Sequence, residues 1–220
     1  MEITSATRPG QSLGDGAELV VTGGHFAVLL DVGDGDGRHS ARRLVRDLGG
    51  RLADGLIRQE PRPLSQLLRE ACRELPAEHR AARRVLVPSA PEGGRRPDSR
   101  SAAAAVVRER GDFLDLLVLG DAAVVLQFPD RTVNVVRGGP RTAVAAPGAA
   151  EHAVVGSLAT RDVHRVCLLT GAAHELAELS NAGWPRLLDR LATAGPAALA
   201  AGSPHASATL ALCVPSAPHP

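Results

Sequence analysis

Asp31, Asp34 and Asp36 are interleaved with Gly33, Gly35 and Gly37 in the segment DVGDGDG. Carboxylate oxygens are hard ligands of the kind Mg²⁺ or Mn²⁺ prefers, and glycine lets the backbone take positive φ and approach a ligand closely. The flanking elements give the loop its place. Phe26 to Leu30, FAVLL, is a short apolar run of the kind found in a strand buried on both faces, and Asp31 closes it. From Arg38 the period changes: Ala41, Leu44, Val45, Leu48, Leu52 and Leu56 fall on one face of a helix. The unit is strand, acidic glycine loop, amphipathic helix.

Several other chemistries are excluded by spacing. An EF-hand reading of the loop puts Val32 at the first ligand position and Arg43 at the twelfth, where a glutamate is required. No Gly-x-Gly-x-x-Gly opens a helix and no Gly-Lys-Ser is present, so dinucleotide and P-loop readings fail. Ser12, Ser40, Ser101 and Ser157 lack a nucleophile-elbow sequence, and the sequence neither supports nor excludes a Ser-His-Asp triad.

The strand, acidic loop and helix resemble the metal-binding turn of the protein phosphatase 2C family, the PPM class of metal-dependent Ser/Thr phosphatases, and APGAAEHAVVGS followed by VHRVCLLT is similar to a segment of its actinobacterial members. The resemblance implies that Asp31 is the residue bridging two divalent metals. Val32 stands where the family has a glycine whose carbonyl binds metal. In SLGDG, Asp15 matches the family's Asn-Glu-Asp stretch, with Gly14 in place of its acid. LLVLGDAAVVL is similar to the family's Val-Gly-Asp-Ser stretch, which implies that Asp121 lies beside the metal centre; Gly120-Asp121 is equally ordinary turn chemistry. Where the family reads Thr-Asp-Gly this chain has Thr170-Gly171-Ala172, and where it reads Asp-Asp-Ala-Thr the chain has Ala206-Ser207-Ala208-Thr209. Gly171 and Ala206 are thus two vacated ligand positions, next to His174 and His205.

The rest of the chain fits the resemblance in order. Glu18 to Thr22 and Phe26 to Leu30 read as a hairpin about Gly23-Gly24. Leu64, Leu67, Leu68, Ala71, Cys72 and Leu75 mark a second helix, entered at Pro63 and stopped by Pro76. Residues 77–100, rich in Arg, Pro and Gly, read as an exposed flexible loop. Ser101–Glu109, Phe113–Leu119, Ala122–Phe128 and Thr132–Val136 are strand-like runs separated by turn residues, which predicts an antiparallel meander. A long loop is expected over Arg137–Gly156. Apolar residues at helical spacing follow from Leu176 to Leu191 across a break at Asn181-Ala182-Gly183, with a further short helix over Pro196–Ala201. Ala208–Val214 is the last strand. Residues 1–214 are expected to form one phosphatase 2C-like domain, with 215–220 as a tail. The fold implied is α+β, a four-layer α-β-β-α sandwich of two antiparallel sheets flanked by helix pairs.

With 220 residues the chain is long enough to bury a substantial core. The net charge of +1 gives no preference for nucleic acid or an anionic membrane. All 25 basic residues are arginine, which reads as codon bias of a GC-rich genome and weakens any argument from arginine clusters. The N-terminus lacks the basic and apolar regions of a signal peptide, and no window is apolar enough to span a bilayer. Cys72, Cys167 and Cys213, odd in number and set in apolar segments, are expected to be buried free thiols in a reducing cytoplasm.

Phosphatases of this family use two metals to activate a bridging water, so each carboxylate matters. With acids missing at Gly171 and Ala206, Mg²⁺ or Mn²⁺ is expected at reduced affinity, and no residue is singled out as catalytic. The resemblance then implies a pseudophosphatase that binds a phosphoprotein or signalling partner. The alternative is an active Mg/Mn-dependent phosphatase with a rebuilt site, drawing on Asp34, Asp36, His174 or His205.

Overall fold

The structure, a computed structural model, describes residues 1–8, 17–33, 38–58, 61–75, 101–140, 142–143, 148–179, 183–197 and 208–216. Among the described residues, eleven strands and four helices follow in the order β1 (Glu2–Arg8), β2 (Ala17–Gly23), β3 (Phe26–Val32), α1 (Arg38–Ile57), α2 (Leu64–Arg73), β4 (Ser101–Arg110), β5 (Phe113–Leu119), β6 (Ala123–Gln127), β7 (Val133–Arg137), β8 (Thr142–Ala143), β9 (Val154–Ala159), β10 (Arg165–Leu169), α3 (Gly171–Leu179), α4 (Trp184–Ala194) and β11 (Ala208–Val214).

The strands form two sheets, β1-β11-β10-β6-β7 and β2-β3-β4-β5-β9, with β8 pairing β4 in the second. All pairings are antiparallel. Side chains alternate across a strand, so β3 serves two cores at once. Phe26, Val28, Leu30 and Val32 pack with the apolar faces of α1 and α2, including Leu44, Leu48, Leu67 and Leu68. Ala27 and Leu29 point the other way and meet Val124, Leu126, Val166 and Leu168 of the facing sheet. Beyond that sheet, Val125, Cys167, Leu169 and Leu210 pack on Ala173, Ala177, Leu187, Leu188 and Leu191 of α3 and α4. Three apolar interfaces therefore separate four layers, α-β-β-α, as the resemblance implied.

Three expectations are corrected. The four runs from Ser101 to Val136 do not share one sheet: β4 and β5 belong to one, β6 and β7 to the other. Gly120-Asp121 is a crossing between sheets, which uses the same residues as a hairpin turn and so looks alike in sequence. The supposed loop at Arg137–Gly156 contains β8 and the start of β9. The strand at Phe26 runs on through Asp31 to Val32, which pairs with Ala17 and Ala102 on either side. The short helix expected over Pro196–Ala201 falls mostly outside the described residues, as do residues 77–100.

Candidate functional site

The site the sequence points to is one end of the gap between the sheets, where β3, β2, β5, β10 and β11 bring their termini together. Asp31 lies on the inter-sheet face of β3, in line with Ala27 and Leu29, and is only 6% exposed. Its register partner on β2 is Glu18. Register partners share a face, so two carboxylates stand side by side on this sheet. From the facing sheet, the Thr209 hydroxyl donates to Glu18 Oε2 at 2.5 Å. Thr209 is fully buried and is itself held twice: its N–H donates to Thr170 Oγ1 at 3.2 Å, and its carbonyl accepts from the Thr170 N–H at 3.0 Å. Thr170 stands between the end of β10 and the start of α3. The Glu18–Thr209 bond thus ties one sheet to the other at this end.

Asp121 reaches the same end from the β5–β6 crossing. Its backbone approach is fixed by Gly120, at φ +68°, where a Cβ would fall 2.9 Å from the Ala102 carbonyl oxygen. Gly138 packs on Gly120, and a Cβ at 138 would fall onto the Gly120 carbonyl oxygen. So aimed, the Asp121 carboxylate lies against Gly171, the first residue of α3: a Cβ there would stand 2.8 Å from Oδ2 and 2.9 Å from Cγ. The carboxylate occupies the room that a side chain at 171 would need.

Of the other residues singled out in the sequence, Val32 has its side chain in the core beneath α1 and α2. His174 lies one turn into α3, buried, its N–H donating to the Thr170 carbonyl oxygen at 2.9 Å and its ring 5.7 Å from that of Trp184. Asp15, Asp34, Asp36, His205 and Ala206 lie outside the described residues. Among the described residues, no three of His, Cys, Asp and Glu are grouped so as to hold a metal ion. Glu18 escaped the sequence reading. Turning the hairpin about Gly23-Gly24 pairs Glu18 with Leu29, whereas the observed turn, Gly24-His25 with Gly23 opposite Phe26, pairs it with Asp31.

A divalent-cation centre of the phosphatase type needs several carboxylates converging on one point. Among the described residues, the carboxylates at this end are Asp31, Glu18 and Asp121; Glu18 accepts from Thr209, and Asp121 lies against Gly171.

No protein-family model matches the sequence, and no curated protein matches it. Solved structures do match in fold. A bacterial serine phosphatase superposes with a TM-score of 0.59 at 11% identity over 100% of both chains. The serine/threonine phosphatase PstP/Ppp of Mycobacterium tuberculosis gives 0.58 at 13% identity over 98% of this chain and 99% of that one. RsbX, solved in complex with magnesium, gives 0.58 at 7% identity over 97% and 94%. The chain therefore has the fold of PPM-type, phosphatase 2C-like Ser/Thr phosphatases, and at these identities the likeness extends to the fold alone.

Proposed function

We propose that this chain is a pseudophosphatase: a phosphatase 2C-like domain, spanning residues 1–214, that acts by binding or regulation and not by hydrolysis. The observation that supports the reading is at Gly171: where the resemblance expects an acid there is no side chain, and the Asp121 carboxylate lies where one would begin. The nature of the neighbours, Ser/Thr phosphatases, suggests a phosphoserine- or phosphothreonine-bearing protein, or a signalling partner, as the bound species. The near-neutral charge supplies nothing for nucleic acid, and among the described residues no helix is long and apolar enough to cross a membrane. Reduced thiols accord with a cytoplasmic setting.

The second reading, an active Mg- or Mn-dependent phosphatase with a rebuilt site, has one observation in its favour. Glu18 and Asp31 stand as neighbours on the inter-sheet face, a carboxylate pair that could recruit further ligands from Asp15, Asp34, Asp36 or His205. An assay of p-nitrophenyl phosphate and a phosphoserine peptide, with Mg²⁺ or Mn²⁺ in excess, separates the two. Turnover abolished by Asp31→Asn would establish the enzyme and end the pseudophosphatase reading; absence of turnover together with saturable peptide binding is the expected result.

A further inference from the structure

The sequence gives Asp121 two roles, ligand beside a metal or residue of a turn, and its surroundings favour neither. The carboxylate is delivered to the amino end of α3, where the first-turn N–H groups have no intrahelical acceptor and the helix dipole presents partial positive charge. Three glycines make this possible. Gly120 supplies the positive φ, Gly138 allows the backbone to close on Gly120, and Gly171 leaves the space the carboxylate enters. The residue just before α3, Thr170, has its hydroxyl accepting from the Thr209 N–H across to β11, so that side chain is directed away to the neighbouring strand.

We infer that Asp121 is a structural residue, an electrostatic cap supplied from the β5–β6 crossing to the head of α3, and that Gly171 is glycine because the cap occupies its side-chain space. The contact joins the inter-sheet end of the molecule to its outer helical layer. It works without a cation.

Gly171 also carries the pseudophosphatase reading, so the test reads stability and not turnover. Thermal unfolding of wild type, Asp121→Asn, Gly171→Ala and the double variant is measured in chelator and again in millimolar Mn²⁺. Asp121→Asn keeps the shape and removes the charge; its midpoint is expected to fall by about 2–4 °C, equally in both conditions and less at high salt. In the Gly171→Ala background, where a Cβ displaces the carboxylate, the same substitution is expected to cost much less than it does alone. Amide hydrogen exchange over residues 171–174 is expected to quicken in Asp121→Asn with chelator present. The inference is overturned if Asp121→Asn leaves both the midpoint and that exchange unchanged in chelator, or if its cost appears only when Mn²⁺ is added.

Discussion

Away from the candidate site, Asp115 is a heavily engaged carboxylate. It lies under α2 on the outer face of β5, accepting from Arg108 Nη2 at 2.8 Å, Arg110 Nε at 3.0 Å and the Ser157 hydroxyl at 2.8 Å. Arg108 is 2% exposed and also donates to the Arg62 carbonyl oxygen, which anchors the entry to α2. Burial pushes the Asp115 carboxyl upward, but the hydrogen bonds from Arg110, Arg108 and Ser157 outweigh it and hold the group below the ordinary carboxylate range. As pH falls, the unfolded chain therefore takes up this proton first. The stabilisation is complete above the ordinary carboxylate range and is lost as acid reaches the lower, folded value. Asp115→Ala leaves Arg108 buried without its counter-charge and is expected to cost about 3–5 kcal/mol in denaturant unfolding. Asp115→Asn is expected to flatten the acid limb of a plot of thermal midpoint against pH; an unchanged acid limb would show that other carboxylates set it. The cysteines give a second expectation at this scale. Burial pushes the Cys72 and Cys213 thiols up to about 12 and raises that of Cys167 as well. A thiol-specific reagent should label none of the three in the native protein and all three after denaturation.

At the scale of elements, what the sequence disclosed depended on how many faces each segment buries. β3, buried on both faces, and α1 and α2, with one apolar stripe each, were plain from their periods, as was β11. β1 and β9 were not. Both lie at sheet edges, where Glu2, Thr4 and Ser5 of one and Val154 to Ser157 of the other are exposed, so no pattern marks them. The crossing at Gly120-Asp121 was misread because turn residues report local φ and not which sheet the next strand joins. The pairs that build the candidate site, Asp121 with Gly171 and Glu18 with Thr209, are distant in sequence, and no local pattern could bring them together. The second of these pairs is open to test. Thr209→Val preserves shape but removes the donor to Glu18, leaving a part-buried carboxylate oxygen without that bond. A loss of about 1.5–3 kcal/mol is expected in chemical denaturation, with Thr209→Ser retaining most of the stability. Equal stability of the Val variant would mean that the two sheets are not tied here.

For the whole molecule, three apolar interfaces account for the four layers, and they make no demand on the inter-sheet end where Asp31 lies. The fold can therefore persist while the residues at that end change, because the layers are held by Leu, Val and Ala contacts and Glu18, Thr209 and Thr170 link the two sheets there. A shared architecture with Ser/Thr phosphatases does not by itself carry their chemistry. The pseudophosphatase proposal requires that this end of the sandwich does not hold a pair of divalent cations. Titration of the metal-free protein with Mn²⁺ by calorimetry tests it most directly. The account predicts only weak, non-stoichiometric heats, unchanged in Asp31→Asn; two equivalents bound tightly, and lost in that variant, would contradict it.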